Sequence, residues 1–247
     1  MPPKAIICDW NGTLIEYRDE RPILESIAVE IFKASIPFHP KRMARILSAK
    51  KELESLHKAI YSEEGLDFVT EIFRVYNGKI IKDVPISIIQ RAVEKYARKQ
   101  KTRSMLDYKI LRPVKKAHDE GKTTGIFSAG YGYGIITILK AVDYYRFFDF
   151  CEADKLIHSD GRSIEIGRNI YKRKAELLPS LLEKQDLKAS ITAYIGDNQD
   201  DEGCFEIVKY PIVSFSAPDE QKELCARKYK AFIPKDEPDL LKYLDNA

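Results

Sequence analysis

The sequence predicts an α/β protein in which a doubly wound parallel sheet carries an inserted, all-helical domain. Residues 5–8 form an unbroken apolar run that ends at Asp9, which is typical of a strand buried on both faces. Residues 17–106 then show only helical periodicity, whereas residues 107–247 alternate between helical and strand patterns. Such alternation favours a parallel sheet with right-handed crossovers and helices on both faces, to which residues 1–16 contribute the first strand.

Amphipathic stripes predict four helices in residues 17–106. Their apolar positions are Ile23, Ile27 and Ile31; Met43, Ile46, Leu47, Leu53, Leu56 and Ile60; Val69, Ile72, Phe73 and Tyr76; and Ile86, Ile89, Val93, Tyr96 and Ala97. We expect the third helix to end at Asn77–Gly78 and the fourth to begin at Pro85. Consecutive amphipathic helices favour a small bundle, so residues 17–106 are predicted to form a cap domain beside a core of residues 1–16 and 107–247.

Helices and strands alternate after Pro113. Strands are predicted over residues 123–127, 147–151, 190–195, 212–215 and 231–233, and a hairpin over residues 157–166 around Asp160–Gly161. Helices are predicted between them, over residues 134–142, 172–183, 201–208 and 220–229, and again at the C-terminus. This order predicts a sheet whose strands all present their carboxyl ends to a single crevice.

Composition and charge narrow the class of protein. The chain has 247 residues, of which 44% are hydrophobic, and its net charge of +3 is too small to imply a nucleic-acid partner. No apolar run approaches the roughly 18 residues of a membrane span, and residues 1–3 lead into the first strand without room for a secretory signal. The 4 cysteines are scattered, which argues against a zinc site or a disulfide framework. We therefore expect a cytoplasmic protein without a nucleic-acid or membrane partner.

Polar side chains follow three of the predicted strands at the point where each strand ends. Asp9, Ser128 and Asp197 occupy these positions, and Asp200 and Asp201 follow shortly after the last of them. Because these strand ends share one crevice, the acids would repel one another unless a cation neutralised them. Oxygen ligands without histidine or thiolate favour Mg²⁺. The alternatives are a turn capped by Asp9 and a helix capped by Asp200 or Asp201, but capping accounts for one acid rather than for all of them.

Four segments resemble, in order, the four motifs of the haloacid dehalogenase superfamily. Asp9–Leu14 (DWNGTL) resembles the first motif, and the serine of Ile126–Gly130 (IFSAG) resembles the second. Lys174 resembles the lysine of the third motif, with Lys172 as the alternative, and Gly196–Asp201 (GDNQDD) resembles the fourth. A helical insert between the first two motifs is similar to the family's first type of cap. The Ser-Ala-Gly turn and the hairpin resemble the phosphoserine-phosphatase-like branch in particular.

This resemblance implies a Rossmann-like core and a Mg²⁺-dependent phosphohydrolase in which Asp9 is the nucleophile and becomes an aspartyl-phosphate. The implied metal ligands are Asp9, the backbone carbonyl of Asn11, Asp197 and Asp201. The implied phosphoryl-binding residues are Ser128, Ala129, Gly130 and Lys174. The substrate is expected to be a small phosphorylated metabolite, because the fold itself does not fix a particular one.

Asn11 departs from the family pattern, which places an acid/base aspartate at this catalytic position. An amide forms hydrogen bonds but does not exchange a proton near neutral pH, and general acid–base help is worth about 10² to 10⁴ in rate. We therefore expect slow turnover of alkyl phosphates and better turnover of esters with good leaving groups. Glu16, Asp19 and Glu20 are candidates for a replacement acid. The alternatives are a non-catalytic phospho-ligand binding or regulatory protein, and a dehalogenase or phosphotransferase of the same superfamily.

Overall fold

The computed structural model describes residues 2–17, 20–59 and 67–246. The strands are β1 (Ala5–Cys8), β2 (Thr123–Tyr131), β3 (Phe150–Asp154), β4 (Leu156–Ser159), β5 (Arg162–Ile166), β6 (Thr192–Gly196) and β7 (Tyr210–Val213). Five of them form a parallel sheet in the order β3-β2-β1-β6-β7, and β4 pairs with β5 as an antiparallel hairpin. With β1 in the middle and crossovers to both sides, this is the doubly wound sheet that the sequence predicts.

Helices connect the strands in sequence and flank the sheet. They are α1 (Arg21–Ser35), α2 (Pro40–Ala59), α3 (Phe68–Val75), α4 (Ile86–Ala97), α5 (Gln100–Ser104), α6 (Tyr108–Asp119), α7 (Gly132–Ala141), α8 (Lys174–Lys184), α9 (Glu202–Ile207), α10 (Asp219–Tyr229) and α11 (Glu237–Asn246). The first six, α1 to α6, lie between β1 and β2 in sequence, and α1 to α5 fall within residues 17–106, as expected for a helical insertion. Within the described ranges, no helix combines the length and apolar character needed to cross a membrane.

β1 lies at the centre of the sheet because all of its side chains are apolar or small. Its residues are completely buried, and Ile7 pairs with Gly125 of β2 on one side and with Tyr194 of β6 on the other. β2 extends past Ser128, where the register with β3 shifts, instead of ending there as the sequence predicts. Such an irregularity is typical of a strand that redirects a side chain beside a functional site.

One buried apolar cluster extends from the sheet into the helical insertion. It includes Ile6 of β1, Leu24 of α1, Ile89 of α4 and Ile138 of α7, all of them 1% exposed or less. The apolar stripes predicted from the sequence therefore pack against the core helices as well as against one another. The division into a core of residues 1–16 and 107–247 and a cap of residues 17–106 stays a prediction, since the two parts share this cluster.

The third helix does not end at Asn77–Gly78 as predicted. The chain continues from α3 into a π-helical turn, Tyr76–Ile81. Asn77 Nδ2 donates to the carbonyl of Ile166 at 3.0 Å, and Asn77 Oδ1 accepts from the N–H of Ile166 at 2.9 Å. The amide thus pairs with the edge of β5 instead of terminating the helix.

Smaller differences concern element boundaries. Residues 231–233 form a single β-bridge, between Ile212 and Phe232, rather than a strand. α6 begins at Tyr108 and contains Pro113, so the alternation of helices and strands begins before Pro113 rather than after it. The additional short helix α5 was not predicted, and the predicted apolar position Ile60 lies outside the described residues.

We expect Asn77→Ala to lower the free energy of unfolding by about 1–3 kcal/mol, because it leaves both backbone groups of Ile166 without their partly buried partners. Asn77→Asp keeps the acceptor but turns a carboxylate oxygen toward the carbonyl of Ile166, so it should not recover this stability. The control is Asn246→Ala, which removes an exposed amide at the end of α11 and should change the stability by less than about 0.5 kcal/mol. Urea unfolding measures all three variants, and equal losses for Asn77→Ala and Asn246→Ala would contradict this role of Asn77.

Candidate active site

Asp9 lies in the middle of the carboxyl edge of the sheet. Its N–H donates to the carbonyl of Ile195 in β6 at 2.9 Å, which continues the strand pairing as far as Asp9. Asp9 is 2% exposed, and Ser128 and Asp197, each 1% exposed, occupy the neighbouring strand ends. The structure therefore brings together the three strand-end residues identified in the sequence.

The turn after Asp9 approaches Asp197 closely. Gly12 has a φ of 69°, a left-handed backbone conformation that favours glycine. A Cβ atom at this position would lie 2.1 Å from Asp197 Oδ2, so any side chain would displace that carboxylate. The carbonyl of Gly12 accepts a hydrogen bond from the hydroxyl of Ser214 at 2.9 Å, just beyond β7. Gly12 thus sets the spacing between the first turn and the acid after β6.

Lys174, the first residue of α8, joins two of the acids. Its Nζ lies 2.9 Å from Asp9 Oδ1 and 2.6 Å from Asp201 Oδ1, and all three side chains are almost completely buried. Burial acts to lower the pKa of Lys174, but Asp201 and Asp9 raise it above its ordinary value, so the side chain stays an ammonium. Burial also raises the pKa of Asp9, to about 6, against the opposing effect of Lys174.

Asp201 is bound by protein groups on both of its carboxylate oxygens. Oδ1 accepts from Lys174 Nζ and from the hydroxyl of Tyr194, at 2.6 Å and 2.8 Å. Oδ2 accepts from the N–H of Asp197 at 3.0 Å. These bonds favour a role in orienting Lys174 and the turn after β6, whereas direct metal ligation by Asp201 stays a prediction.

Helix capping accounts for part of the bonding of Asp201 but not for Asp197. The cap of the short helical turn Gln199–Asp201 is Asn198, whose side chain accepts from the N–H of Asp200 at 2.8 Å. Asp201 completes a capping box, because its Oδ2 accepts from the N–H of Asn198 at 3.4 Å. The Asn198 amide also donates to Asp197 Oδ1 at 2.9 Å, so the cap positions Asp197.

The buried acids fit a divalent cation. Asp9, Asp197 and Asp201 each offer a carboxylate oxygen, and these three atoms lie within 4.8 Å of one another. Lys174 supplies one positive charge against three buried carboxylates, which leaves a net negative charge where solvent screens little. Oxygen donors without nitrogen or sulfur suit a hard ion such as Mg²⁺. The backbone of Asn11, the fourth predicted ligand, belongs to the same turn as Gly12.

The predicted phosphoryl-binding residues lie beside Asp9: Lys174 is paired with it, and the hydroxyl of Ser128 is hydrogen-bonded to it. Ser128 and Ala129 line the same cavity as Asp9 and Lys174, whose volume is about 220 Å³. The N–H of Gly130 donates to Ser128 Oγ at 3.1 Å, which fixes the serine hydroxyl. The Ser-Ala-Gly turn therefore lies at the site as predicted, with Gly130 supporting Ser128.

One of the three candidate replacement acids lies in the site. Asn11 Nδ2 donates to Glu20 Oε1 at 3.2 Å, and Glu20, 6% exposed, lines the cavity together with Asn11. Glu16 is exposed on the surface, and Asp19 lies outside the described residues. Of the two candidates that the structure describes, Glu20 is the one that contacts Asn11.

Several residues of the outer cavity wall were not identified from the sequence as site residues. They are Arg21, Leu24, Phe68, Val69, Ile72, Phe73, Arg168 and Tyr171. Val69, Ile72 and Phe73 appear in the sequence as an apolar stripe of α3, which has the same pattern whether it faces a core or a cavity. No short-range signal marks Arg168, because its position depends on the hairpin that precedes it.

Lys172, the alternative to Lys174, lies outside this network. Its ammonium pairs with Asp67, the cap of α3, at 2.7 Å. Asp67 also accepts from the hydroxyls of Thr70 and Tyr171, at 2.7 Å and 3.0 Å. Partial burial acts to raise the pKa of Asp67, but Lys172 and these hydroxyls hold it well below its usual range. Asp67 therefore connects α3 of the insertion to the segment before α8.

We expect Lys174→Met, studied without added metal, to lower the free energy of unfolding by about 3–5 kcal/mol, because Asp9 and Asp201 remain buried without their cation. Lys172→Met is the matched control. It removes an ion pair whose lysine is 58% exposed, so the expected loss is below about 1 kcal/mol. Urea unfolding compares the two variants, and losses of similar size would contradict the buried network around Lys174.

Several solved structures have a fold similar to that of this chain. No family model and no curated protein matches the chain. A substrate-bound phosphoserine phosphatase is 19% identical, with a TM-score of 0.61, and the match covers 99% of each chain. A phospho-aspartyl intermediate analogue of phosphoserine phosphatase is 20% identical, with a TM-score of 0.60 over 99% of this chain and 100% of the other. A HAD family hydrolase from Salmonella enterica is 17% identical, with a TM-score of 0.58 over 90% of this chain and 66% of the other. The chain therefore has the fold of phosphoserine phosphatases and HAD hydrolases.

Proposed function

We propose that this protein is a Mg²⁺-dependent phosphohydrolase that acts on a small phosphate monoester through an aspartyl-phosphate on Asp9. The observation that carries the proposal is the buried Asp9 carboxylate with the Lys174 ammonium 2.9 Å away, beside a cavity at the carboxyl edge of the sheet. A carboxylate in this setting is a suitable nucleophile once the charge of an approaching phosphoryl group is offset. The similarity to phosphoserine phosphatases, including one captured as a phospho-aspartyl analogue, supports the same reaction class.

The reaction proceeds in two displacements at phosphorus. The Asp9 carboxylate attacks the phosphorus, a bond from Asp9 oxygen to phosphorus forms, and the bond to the leaving oxygen breaks. The leaving oxygen takes up a proton. Water then attacks the phosphorus and gives up a proton, the bond to Asp9 breaks, and phosphate leaves with the carboxylate restored.

The phosphoryl oxygens need donors that are already in place. Lys174 provides a fixed positive charge, because Asp201 holds it from the far side at 2.6 Å. Ser128 provides a hydroxyl that Gly130 orients at 3.1 Å, and Ala129 provides a backbone N–H at the same turn. These groups are positioned before the substrate arrives, so little reorganisation accompanies the reaction.

We propose that the metal is held by Asp9, the backbone carbonyl of Asn11 and Asp197, with Asp201 in support through Lys174. When bound, Mg²⁺ supplies the positive charge that lets a carboxylate approach a phosphoryl group. Gly12 is essential to this arrangement, since a Cβ atom there would lie 2.1 Å from Asp197 Oδ2.

Glu20 is the carboxylate placed to exchange protons, because the amide of Asn11 cannot do so near neutral pH. A Cβ atom on Gly130 would lie 2.6 Å from Glu20 Oε1 and 3.4 Å from Ser128 Oγ, so the two oxygens share one small region of the cavity. Asn11 Nδ2 donates to Glu20 Oε1 and thereby orients the carboxylate. A positioned carboxylate can act as general acid and base when it lies within reach of the leaving oxygen or the attacking water.

A non-catalytic protein that binds a phosphorylated ligand is the second candidate, and Asn11 is the observation that favours it. Dehalogenation is disfavoured, because that chemistry needs no metal and the acids after β6 would have no purpose. A phosphotransferase shares the first displacement and differs only in the acceptor that attacks the aspartyl-phosphate.

The metal requirement gives the first test. Hydrolysis of 4-nitrophenyl phosphate should require Mg²⁺, and protein stripped with EDTA should melt at a lower temperature until Mg²⁺ is restored, because the ion binds the folded state. Asp197→Asn should lose both responses, whereas Asp160→Asn, on the exposed hairpin turn, should keep both. A melting temperature and a turnover rate that do not change when Mg²⁺ is added or removed would contradict the metal site. A melting response without turnover of any phosphate ester would favour the binding protein.

The proton-transfer step gives the second test. Asn11→Asp should raise the turnover of an alkyl phosphate by up to about 10², and much more than that of 4-nitrophenyl phosphate, whose leaving group needs no acid. Glu20→Gln should lower the turnover of the alkyl phosphate in the wild-type background. It should lower this turnover by a smaller factor in a protein that also carries Asn11→Asp. Asp9→Asn should abolish both activities. Steady-state kinetics measures each variant, and an Asn11→Asp protein that matches a fast wild type would rule out this account of Asn11.

A further inference from the structure

The outer wall of the cavity is apolar and carries arginines. The apolar side chains belong to Leu24 of α1 and to Phe68, Val69, Ile72 and Phe73 of α3. Arg21 lies over Phe68, with its Cζ 5.7 Å from the ring centre, and Arg168 lies over Phe73 at 4.9 Å. A ligand whose phosphoryl group meets Asp9 at the sheet edge places its remaining atoms against this wall. The wall therefore selects the leaving group.

Arg168 is held in a fixed position on this wall. Its Nη1 donates to the hydroxyl of Thr70 in α3 at 3.0 Å, and its Cζ lies 3.8 Å from the ring centre of Tyr171. The backbone beside it is anchored as well, because Asp154 Oδ1 accepts from the N–H of Asn169 at 2.7 Å. A guanidinium stacked and bonded in this way loses little freedom when it binds a ligand.

Arg168 differs from its neighbours in forming no ion pair with a described residue, although the charge of the nearby buried Asp154 carboxylate is felt at Arg168. The other cations of the segment each have a carboxylate partner: Lys172 pairs with Asp67 at 2.7 Å, Arg173 with Glu176 at 2.6 Å, and Lys174 with Asp9 and Asp201. Among the residues that the structure describes, Arg168 forms no ion pair, and its Nη2 is buried without a hydrogen-bond partner. A buried charged donor without an acceptor is costly, and in the wall of a cavity a ligand can supply the acceptor.

We propose that Arg168 is a specificity-determining residue that binds an anionic oxygen group on the leaving part of the substrate. The inference rests on the proposed hydrolase function and names its substrate class. That class is a small phosphate monoester whose leaving group presents an apolar or aromatic surface to α3 and a second negative charge to Arg168. The cavity of about 220 Å³ is smaller than most ligand pockets, which favours a compact ester over a nucleotide.

The experiment compares substrates that differ in this second charge. They are 4-carboxyphenyl phosphate, its neutral methyl ester and 1,4-phenylene bisphosphate, so that a carboxylate and a phosphate are tested separately. Arg168→Gln should reduce kcat/KM for at least one anionic substrate by about 10- to 100-fold, the usual worth of a charged hydrogen bond. The change should lie in KM, because a contact remote from the phosphorus stabilises the ground and transition states alike. The neutral ester should be essentially unaffected.

Two further variants separate specificity from structure. Arg173→Gln removes an arginine of the same segment that is paired with Glu176, and it should leave the ratio between charged and neutral substrates unchanged. Arg168→Lys keeps the charge without the planar fork, and it should retain part of the preference for the anionic substrate. Because each variant is compared with wild type on the same substrate, differences in leaving-group reactivity cancel.

Binding measured without turnover separates this inference from the hydrolase proposal. Isothermal titration with 4-carboxybenzylphosphonate and its neutral methyl ester, in the presence of Mg²⁺, reports the same contact. Arg168→Gln should weaken the carboxylate compound by about 10- to 100-fold and leave the ester unchanged. If no phosphate ester is hydrolysed but this difference persists, the hydrolase proposal fails and the role of Arg168 stands. If Arg168→Gln affects charged and neutral compounds equally, or affects neither, the role of Arg168 is refuted.

Discussion

The ammonium of Lys174 is the charge on which the site depends. β1 and β6 deliver Asp9, Asp197 and Asp201 to one edge of the sheet, where burial makes their mutual repulsion expensive. α8 begins with Lys174 and inserts a single cation between two of them. The remaining negative charge is what makes a divalent ion a suitable ligand for these oxygens.

The helical insertion completes this site as well as covering it. Glu20 and Arg21 stand at the start of α1, and α3 supplies most of the apolar wall. Asp67, at the start of α3, is bonded to Tyr171 and Lys172 of the core. The parts of the cavity that would recognise a leaving group are therefore tied by hydrogen bonds to the parts that would perform the chemistry.

Much of the fold and the centre of the site could be predicted from the sequence because both follow from local patterns. The apolar run before Asp9 indicates a buried strand, and the rule that parallel strands share their carboxyl ends then places Ser128 and Asp197 beside it. The partners of Asn77 and Arg168 could not be predicted, since each is brought by a segment distant in sequence. The hydrogen bonds of Asp201 could not be predicted either, because the same sequence motif fits a carboxylate that orients a lysine and one that binds a metal.

The placement of Arg168 and Lys174 on one short segment limits how this protein could change during evolution. The segment is fixed at both ends, by the bond from Asn169 to Asp154 and by the ion pairs of Lys174. An insertion or deletion within it would shift Lys174 together with Arg168, and hence both of the roles proposed for them. New substrate preferences are therefore more accessible through single exchanges on the exposed face of the cavity, at positions such as Phe68 and Val69 of α3. Divergence among proteins of this kind should accordingly accumulate in the helical insertion while the segment before α8 keeps its length.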